Sequence, residues 1–412
     1  MISRMETSSA ATAPDSLPPA TPESSCVPTI PDGLLDEQDV DAAFEKAAAV
    51  LTDASEVDRL FDLRMLHAKV RLGIPVTRPE TLSDVPREHR VAIEEAYKAA
   101  AREAGEALLE KGALPAAWGY FQAIGEPGPV REALAKVPNP RPNEQNDERS
   151  EELSRLALYE GAYPAKGIEM MLAGVGTCGT VTALEQSIHQ LPPDDRRECA
   201  AVVVRHLHDE LLTSLVNHIE RSGVLLRVPA SISEALAGRE SLLDGGGYHV
   251  DVSHLASAVR FSRDLRPEDP ELPLAIELCQ YGGMLDRSLQ YDGEPPFEEF
   301  YKAHRLFLTA LQTGDAAEAA AFFGERLNEA ETANDRRLVA YVLSDLLMRC
   351  GDCEGAVRLA AEELAATASE TGFSLAEMCQ RAGRLDLLER YGREQGDVVN
   401  LLAGRFGITP SA

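Results

Sequence analysis

An all-α protein made of packed helical hairpins, extended as an α-solenoid around an irregular helical middle domain, is the fold this sequence predicts. Three observations lead there. Alanine is abundant while aromatic residues are 5% of the chain, which favours helices packed closely through small side chains. Apolar residues recur at helical spacing, and no stretch alternates convincingly with period two; "VLLRVP" at 224–229 is the only short strand candidate. Glycines punctuate the last third of the chain at near-regular intervals.

The 412 residues exceed what one hydrophobic core needs, so two or three packed units or an extended array both fit. Hydrophobic residues at 44% and charged residues at 26% lie in the ordinary globular range. Forty Lys and Arg against 68 Asp and Glu leave a net charge of -28, a field that repels phosphate backbones and anionic lipid. Basic residues such as Arg196-Arg197 and Arg336-Arg337 are flanked by acids and form no patch, so neither nucleic acid nor membrane is an expected partner. Seven scattered cysteines do not read as a disulfide framework. The first 33 residues hold no apolar core of signal-peptide length, and nowhere do 18 apolar residues run together. The expected location is the cytoplasm.

Along the chain, residues 1–33 are rich in Ser, Thr, Ala and Pro and read as a disordered tail. An N-terminal helical domain is expected over 34–137. Its first helix carries Val40, Phe44, Ala47 and Ala48 on one stripe, and its second carries Leu60, Leu63, Leu66 and Val70 before Gly73 and Pro75 end it. A long helix follows, then a break at Gly112, a helix through Trp118 and a short one after Pro129. "PNPRPNEQNDER", 138–149, reads as a linker. Six helical stretches separated by Gly and Pro fill a His-rich middle domain, 150–296, with Asp194 placed to cap the helix that carries His206. The remainder, 297–412, is read as helical repeats.

In that last region "LQTGDAAEAAAFF", "MRCGDCEGAVRLA" and "QRAGRLDLLERYG" place Gly314, Gly351 and Gly383 at intervals of 37 and 32, each between two helices. Five residues later stand Ala319, Ala356 and Leu388, and the earlier Gly112 has Ala117 in the same place. These segments resemble tetratricopeptide-like repeats over about a third of the chain. In that family a Gly-Asp turn opens the second helix of a hairpin, and a small residue followed four positions later by a bulky one packs it. Ala319 with Phe323 and Ala117 with Phe121 fit; Ala356 is followed by Ala360, and Leu388 by Gly392. First-helix positions where the family has Gly and Tyr hold Phe307 and Ala310, then Ser344 and Leu347. The resemblance implies a superhelical scaffold that binds proteins along a concave face.

The chemical signal is histidine. Seven of nine, His189, His206, His208, His218, His249, His254 and His304, lie within 116 residues where an even spread puts two or three, and imidazole is the commonest metal ligand and a versatile acid or base. His206 and Glu210 stand four apart on one helix face with Asp209 beside them, a spacing that can hold one metal ion or simply form a wet face beside Val203, Leu207 and Leu211. The order His189, His208-Asp209, Asp251 is similar to that of the all-helical, metal-dependent HD-type phosphohydrolases, although "ELLTSL" continues the helix where that family turns. In "DGGGYHVDVSHLASAVRFSRDL" Asp251 or Ser253 is placed to cap a helix starting near Val252, which puts His254 in the first turn, where the dipole disfavours a charged ring. Cys350 and Cys353 have the spacing of a redox pair or half a zinc site, but superimpose on Thr313 and Ala316 of the neighbouring repeat and read as small residues packed at a turn. Glu-x-x-His pairs, a phosphate loop, a nucleophile elbow and a His-Glu-x-x-His helix are all missing.

Two functional readings follow. One is a cytoplasmic helical-repeat scaffold that mediates protein–protein interaction and is open to self-association, with no enzyme activity and no cofactor. The other is a metal-dependent enzyme or sensor, HD-like hydrolases included, with a divalent metal in a polar pocket of His206, His208, Asp209, His249, Asp251 and His254.

Overall fold

The computed structural model describes residues 30, 33–34, 36–76, 85–141, 148–223, 227–364 and 374–407, and these are helical with no strand. Nearly all of the tail at 1–33, residues 142–147 of the linker and residues 224–226 of the strand candidate lie outside the described residues; 227–229 are not in a strand. The chain packs as two units, Met1–Pro129 and Val130–Ala412.

In the first unit, α1 (Val40–Asp53), α2 (Val57–Arg71), α3 (Arg90–Glu110) and α4 (Leu114–Ile124) each pack on the next. The buried face of α2 differs from the stripe read in the sequence. Val57, Leu60, Phe61 and Met65 are buried, whereas Leu63 and Leu66 are half-buried and Val70 is exposed. Aromatic packing decides the rotation, because the Phe61 ring stands edge-on to Tyr97 at 5.3 Å and tilts against Tyr120 at 5.4 Å. Between α3 and α4, Gly105 leaves room for the Phe121 ring, which a Cβ there would meet at 2.6 Å.

Helix α5 (Gly128–Ala135) spans the division between the units. The second unit continues with α6 (Glu148–Leu158), α7 (Pro164–Gly174), α8 (Thr177–Ser187), α9 (Pro193–Ser222), α10 (Ile232–Leu236), α11 (Val252–Phe261) and α12 (Leu272–Met284). At 30 residues α9 is the spine, contacted by α7, α10, α11 and α12. Its buried residues Cys199, Val203, Leu207, Leu211, Leu215 and Ile219 recur at steps of four, an unbroken apolar stripe. The helix starts at Pro193 rather than behind a cap at Asp194: proline lacks the N–H that the first turn leaves unpaired, and its φ is already helical. Asp194 instead sits in the first turn and pairs with Arg266. Arg197 grips Asp269 through both carboxylate oxygens, and Arg205 pairs with the buried Glu271, so the approach to α12 is tied to α9 by charge-assisted bonds.

Beyond it lie α13 (Phe300–Thr313), α14 (Ala317–Glu329), α15 (Ala333–Arg349), α16 (Cys353–Glu363), α17 (Leu375–Arg381), α18 (Leu385–Gln395) and α19 (Val398–Phe406). One hydrophobic core runs from Leu158 to Leu388, passing the position near 296 where the sequence places a boundary. Phe297, on the intervening loop, is buried and stacks on His304. Gly112, Gly314, Gly351 and Gly383 all take positive φ, between 66° and 89°, the left-handed geometry that ends one helix before the next begins. The residues five positions on, Ala117, Ala319, Ala356 and Leu388, are at most 1% exposed. A further Gly-Asp turn, Gly396-Asp397, lies outside the spacing read in the sequence: Gly396 is left-handed and Asp397 caps α19.

The departure at Gly392 has a packing reason. A Cβ there would lie 2.3 Å from the Leu401 backbone nitrogen, and one at Gly404 would lie 2.3 Å from that of Glu389. Backbone of α18 and α19 therefore fills the space that Phe121 and Phe323 take in their hairpins.

Gly392→Ala is expected to destabilise the protein by about 1–3 kcal/mol, since helix backbones cannot yield as a flexible side chain can. Gly324→Ala, on α14 with nothing within 4 Å of the added Cβ, is expected to stabilise it by about 0.5–1 kcal/mol. Urea denaturation midpoints of the two variants check both signs.

Candidate functional site

The six residues proposed from the sequence fall into four separate local arrangements. On α9, the His206 ring Nε2 lies 3.0 Å from the Thr177 hydroxyl, which is also 3.2 Å from a Glu210 oxygen. Glu210 is 3.7 Å from the same ring nitrogen. In a hydroxyl-activating triad the acid would orient the opposite nitrogen, so this cluster ties α8 to α9 without that geometry.

One residue pair along, His208 turns inward and is 4% exposed. Its Nε2 is 2.9 Å from Glu277 Oε2 on α12, and the same oxygen accepts the backbone N–H of Ile232 at 2.9 Å. Burial pushes the Glu277 carboxyl up, but the bonds from His208 and Ile232 outweigh it and hold the group below the usual carboxylate range. His208 Nδ1 is buried with no hydrogen-bond partner among the described residues, Asp209 Oδ1 being 3.8 Å away and largely in solvent. The His208-Asp209 doublet is thus split, one side chain in the core and the other outside.

His249 belongs to a third arrangement. Tyr281 Oη on α12 accepts the His249 backbone N–H at 2.9 Å and lies 3.1 Å from its Nδ1, while its Nε2 is 2.8 Å from Nδ1 of His218. Burial, helped by the neighbouring His218 ring, lowers the His249 pKa. Only one proton fits between the two rings, so the pair keeps its bond with at most one of them charged. Burial also pushes the Tyr281 phenol up to about 12, which keeps it a hydrogen-bonding group rather than an acid at neutral pH.

Asp251 and His254 form the fourth. Asp251 caps α11, accepting the N–H groups of Ser253 and His254, and the Ser253 hydroxyl holds its carboxyl below the usual range. The His254 ring makes no hydrogen bond among the described residues. His189, the first residue of the HD-like order, is exposed. Among the described residues no three His, Cys, Asp or Glu side chains are grouped as a metal ion would need. Cys350 and Cys353 are half-buried against the core as free thiols, with Cys350 Sγ 3.4 Å from the Ala310 carbonyl.

What the sequence reading missed are the partners Thr177, Glu277 and Tyr281. Glu277, the one acid inside "LPLAIELCQYGG", carried a signal: a lone carboxylate in an apolar helix needs a buried partner. Glu277 and Tyr281 line a groove of about 600 Å³ floored by α10, α12 and α13. A second depression, about 650 Å³, is lined only by Glu148, Arg149, Glu151, Glu152 and Arg155 of one helix and has no apolar floor.

The most perturbed imidazole is His304. It is 1% exposed, lies between the Phe297 and Phe300 rings, and its Nδ1 donates to the Phe300 carbonyl at 2.7 Å, leaving Nε2 buried with no partner among the described residues. Burial first, then the nearby Arg263 guanidinium, lower its pKa to about 3. Its folded value lies below the unfolded one, so its stabilisation is full above about pH 6.5 and declines as pH falls from there. From pH 7 to pH 5 this histidine alone is expected to cost about 2 kcal/mol. The loss should be smaller by that amount in His304→Phe, read as the difference in urea stability between the two pH values.

No helix among the described residues is long and apolar enough to cross a membrane. No family model matches the chain, and no curated protein or solved structure matches it.

Proposed function

We propose that the chain is a helical-repeat scaffold for protein–protein interaction, and that it pairs with a second copy through the end of its C-terminal stack. The observation that carries this reading is α19, which has no buried residue and exposes Val399 at 77%, Leu402 at 48% and Phe406 at 71%. Steps of three and four put these residues on one stripe. Arrays of stacked hairpins need a polar outer face on the last element to stay apart, and an apolar one invites a further element to stack.

Charge favours a second copy as that element. The segment 375–407 carries Arg381, Arg384, Arg390, Arg393 and Arg405 against Glu377, Asp386, Glu389, Glu394 and Asp397, and is neutral within a chain of net charge -28. Two copies meeting there bring together a neutral segment rather than the acidic average of the chain. The hairpins behind α19, each closed by a left-handed glycine and packed through a buried residue five positions on, support the repeat reading. Nothing in the placement of His206, His208, Asp209, His249, Asp251 and His254 favours the metal-pocket alternative.

Light scattering on the purified chain at rising concentration is expected to give a mass moving from 44.6 kDa towards twice that value. Leu402→Asp with Phe406→Asp is expected to hold it at the single-chain mass with unchanged circular dichroism. A wild-type chain that stays single at all concentrations, or a double variant that pairs as well, removes the reading.

A further inference from the structure

We propose that the groove between α10, α12 and α13 binds a small amphiphilic anion, an apolar body bearing a carboxylate or sulfonate head, with Arg305 receiving the head group. The inference is independent of the pairing of chains through α19, which uses other residues.

The size and lining fit such a ligand. About 600 Å³ lies within the range of small-molecule sites. The apolar part of the wall is Leu236 on α10, Met284 and Tyr281 on α12, and Tyr301 on α13. Met284 is 45% exposed, an unbranched and polarisable side chain left in solvent at the groove edge. Tyr301 packs against Gly282, where a Cβ would meet its ring at 2.2 Å, so bare backbone at that position is what admits the ring.

Two polar groups in the wall lack hydrogen-bond partners among the described residues. Arg305 makes no ion pair or hydrogen bond among the described residues, whereas Lys302 on the same helix is bonded to Glu299 at 2.9 Å. In an acidic chain whose arginines are mostly paired with carboxylates, a guanidinium on a groove that donates to no carboxylate is an open set of donors for an anion. The Tyr301 hydroxyl is buried with no hydrogen-bond partner among the described residues, though the residue lines the groove. A ligand acceptor that reaches it removes the penalty of an unpaired buried donor.

The two acids of the wall are already engaged. Glu277 accepts from His208 and from Ile232 N–H, and Glu240 accepts from Gly238 N–H at 3.3 Å. The remaining negative charge of the chain is screened over about 8 Å at physiological ionic strength, so the nearby guanidinium sets the local preference.

The test uses anilinonaphthalene sulfonate as the anionic probe and phenylnaphthylamine as its neutral counterpart. Fluorescence titrations are run on the full chain carrying Leu402→Asp and Phe406→Asp, so that the exposed stripe of α19 does not contribute. Saturable one-to-one binding of the sulfonate is expected, with the neutral probe weaker. Arg305→Glu is expected to weaken the sulfonate about tenfold or more, the loss of one charge-assisted contact and the arrival of a repulsive one. Gly283→Phe, at a groove position where an added Cβ meets only Tyr301 Cβ at 3.9 Å, is expected to abolish binding of both probes with circular dichroism unchanged. Absence of saturable binding, equal affinity for the neutral probe, or affinity unchanged by Arg305→Glu and Gly283→Phe would each overturn the proposal.

Discussion

Burial of one continuous stripe on α9 is the constraint from which the second unit is organised. A 30-residue helix with Val203, Leu207, Leu211 and Leu215 at 0–1% exposure must be covered along its whole length, and α7, α10, α11 and α12 cover it. Truncating any one of those leucines to alanine costs about 2–5 kcal/mol in such a setting. The cover is then fixed in direction by polar contacts that leave the same helix, Arg197 to Asp269, Arg205 to Glu271 and His208 to Glu277. Each joins residues more than 60 positions apart, so hydrophobic burial sets which helices meet and the ion pairs set their register.

Close approach through small residues is the second theme, and it explains why so few aromatic side chains suffice. Ala117, Ala319 and Ala356 sit at hairpin contacts with almost no exposed surface. Where spacing becomes tighter still, glycine replaces alanine: Gly282 under Tyr301, Gly105 under Phe121, and Gly392 with Gly404 between backbones. Those sites tolerate no Cβ because the neighbour is a ring or a main chain. In the second unit the result is a set of close crossings behind α19, whose outer stripe is left open.

The candidate site shows how far linear order carries chemistry. Histidine enrichment in the middle of the chain was legible, and so was a cap at Asp251 or Ser253, because a cap is a local event within three residues; the structure uses Asp251. Convergence was not legible. His206 and His208 are two residues apart on α9, which turns them about 200° from each other; one meets Thr177 on α8 and the other Glu277 on α12. His218 and His249, 31 positions apart, are brought ring to ring by the packing around α9. No periodicity encodes such a pairing.

By itself the sequence determined the class: alanine-rich helical periodicity and left-handed turn glycines specify helical hairpins, because both act over a handful of residues. It also marked the hairpin turns at Gly112, Gly314, Gly351 and Gly383, each with a small or apolar residue five positions on. Only the tertiary structure decided which face of α2 is buried, which imidazole meets which carboxylate, and that Tyr281, Tyr301 and Arg305 share a groove. Those outcomes depend on competition among many apolar faces for a limited interior, and the winner is set by shape and volume across distant segments.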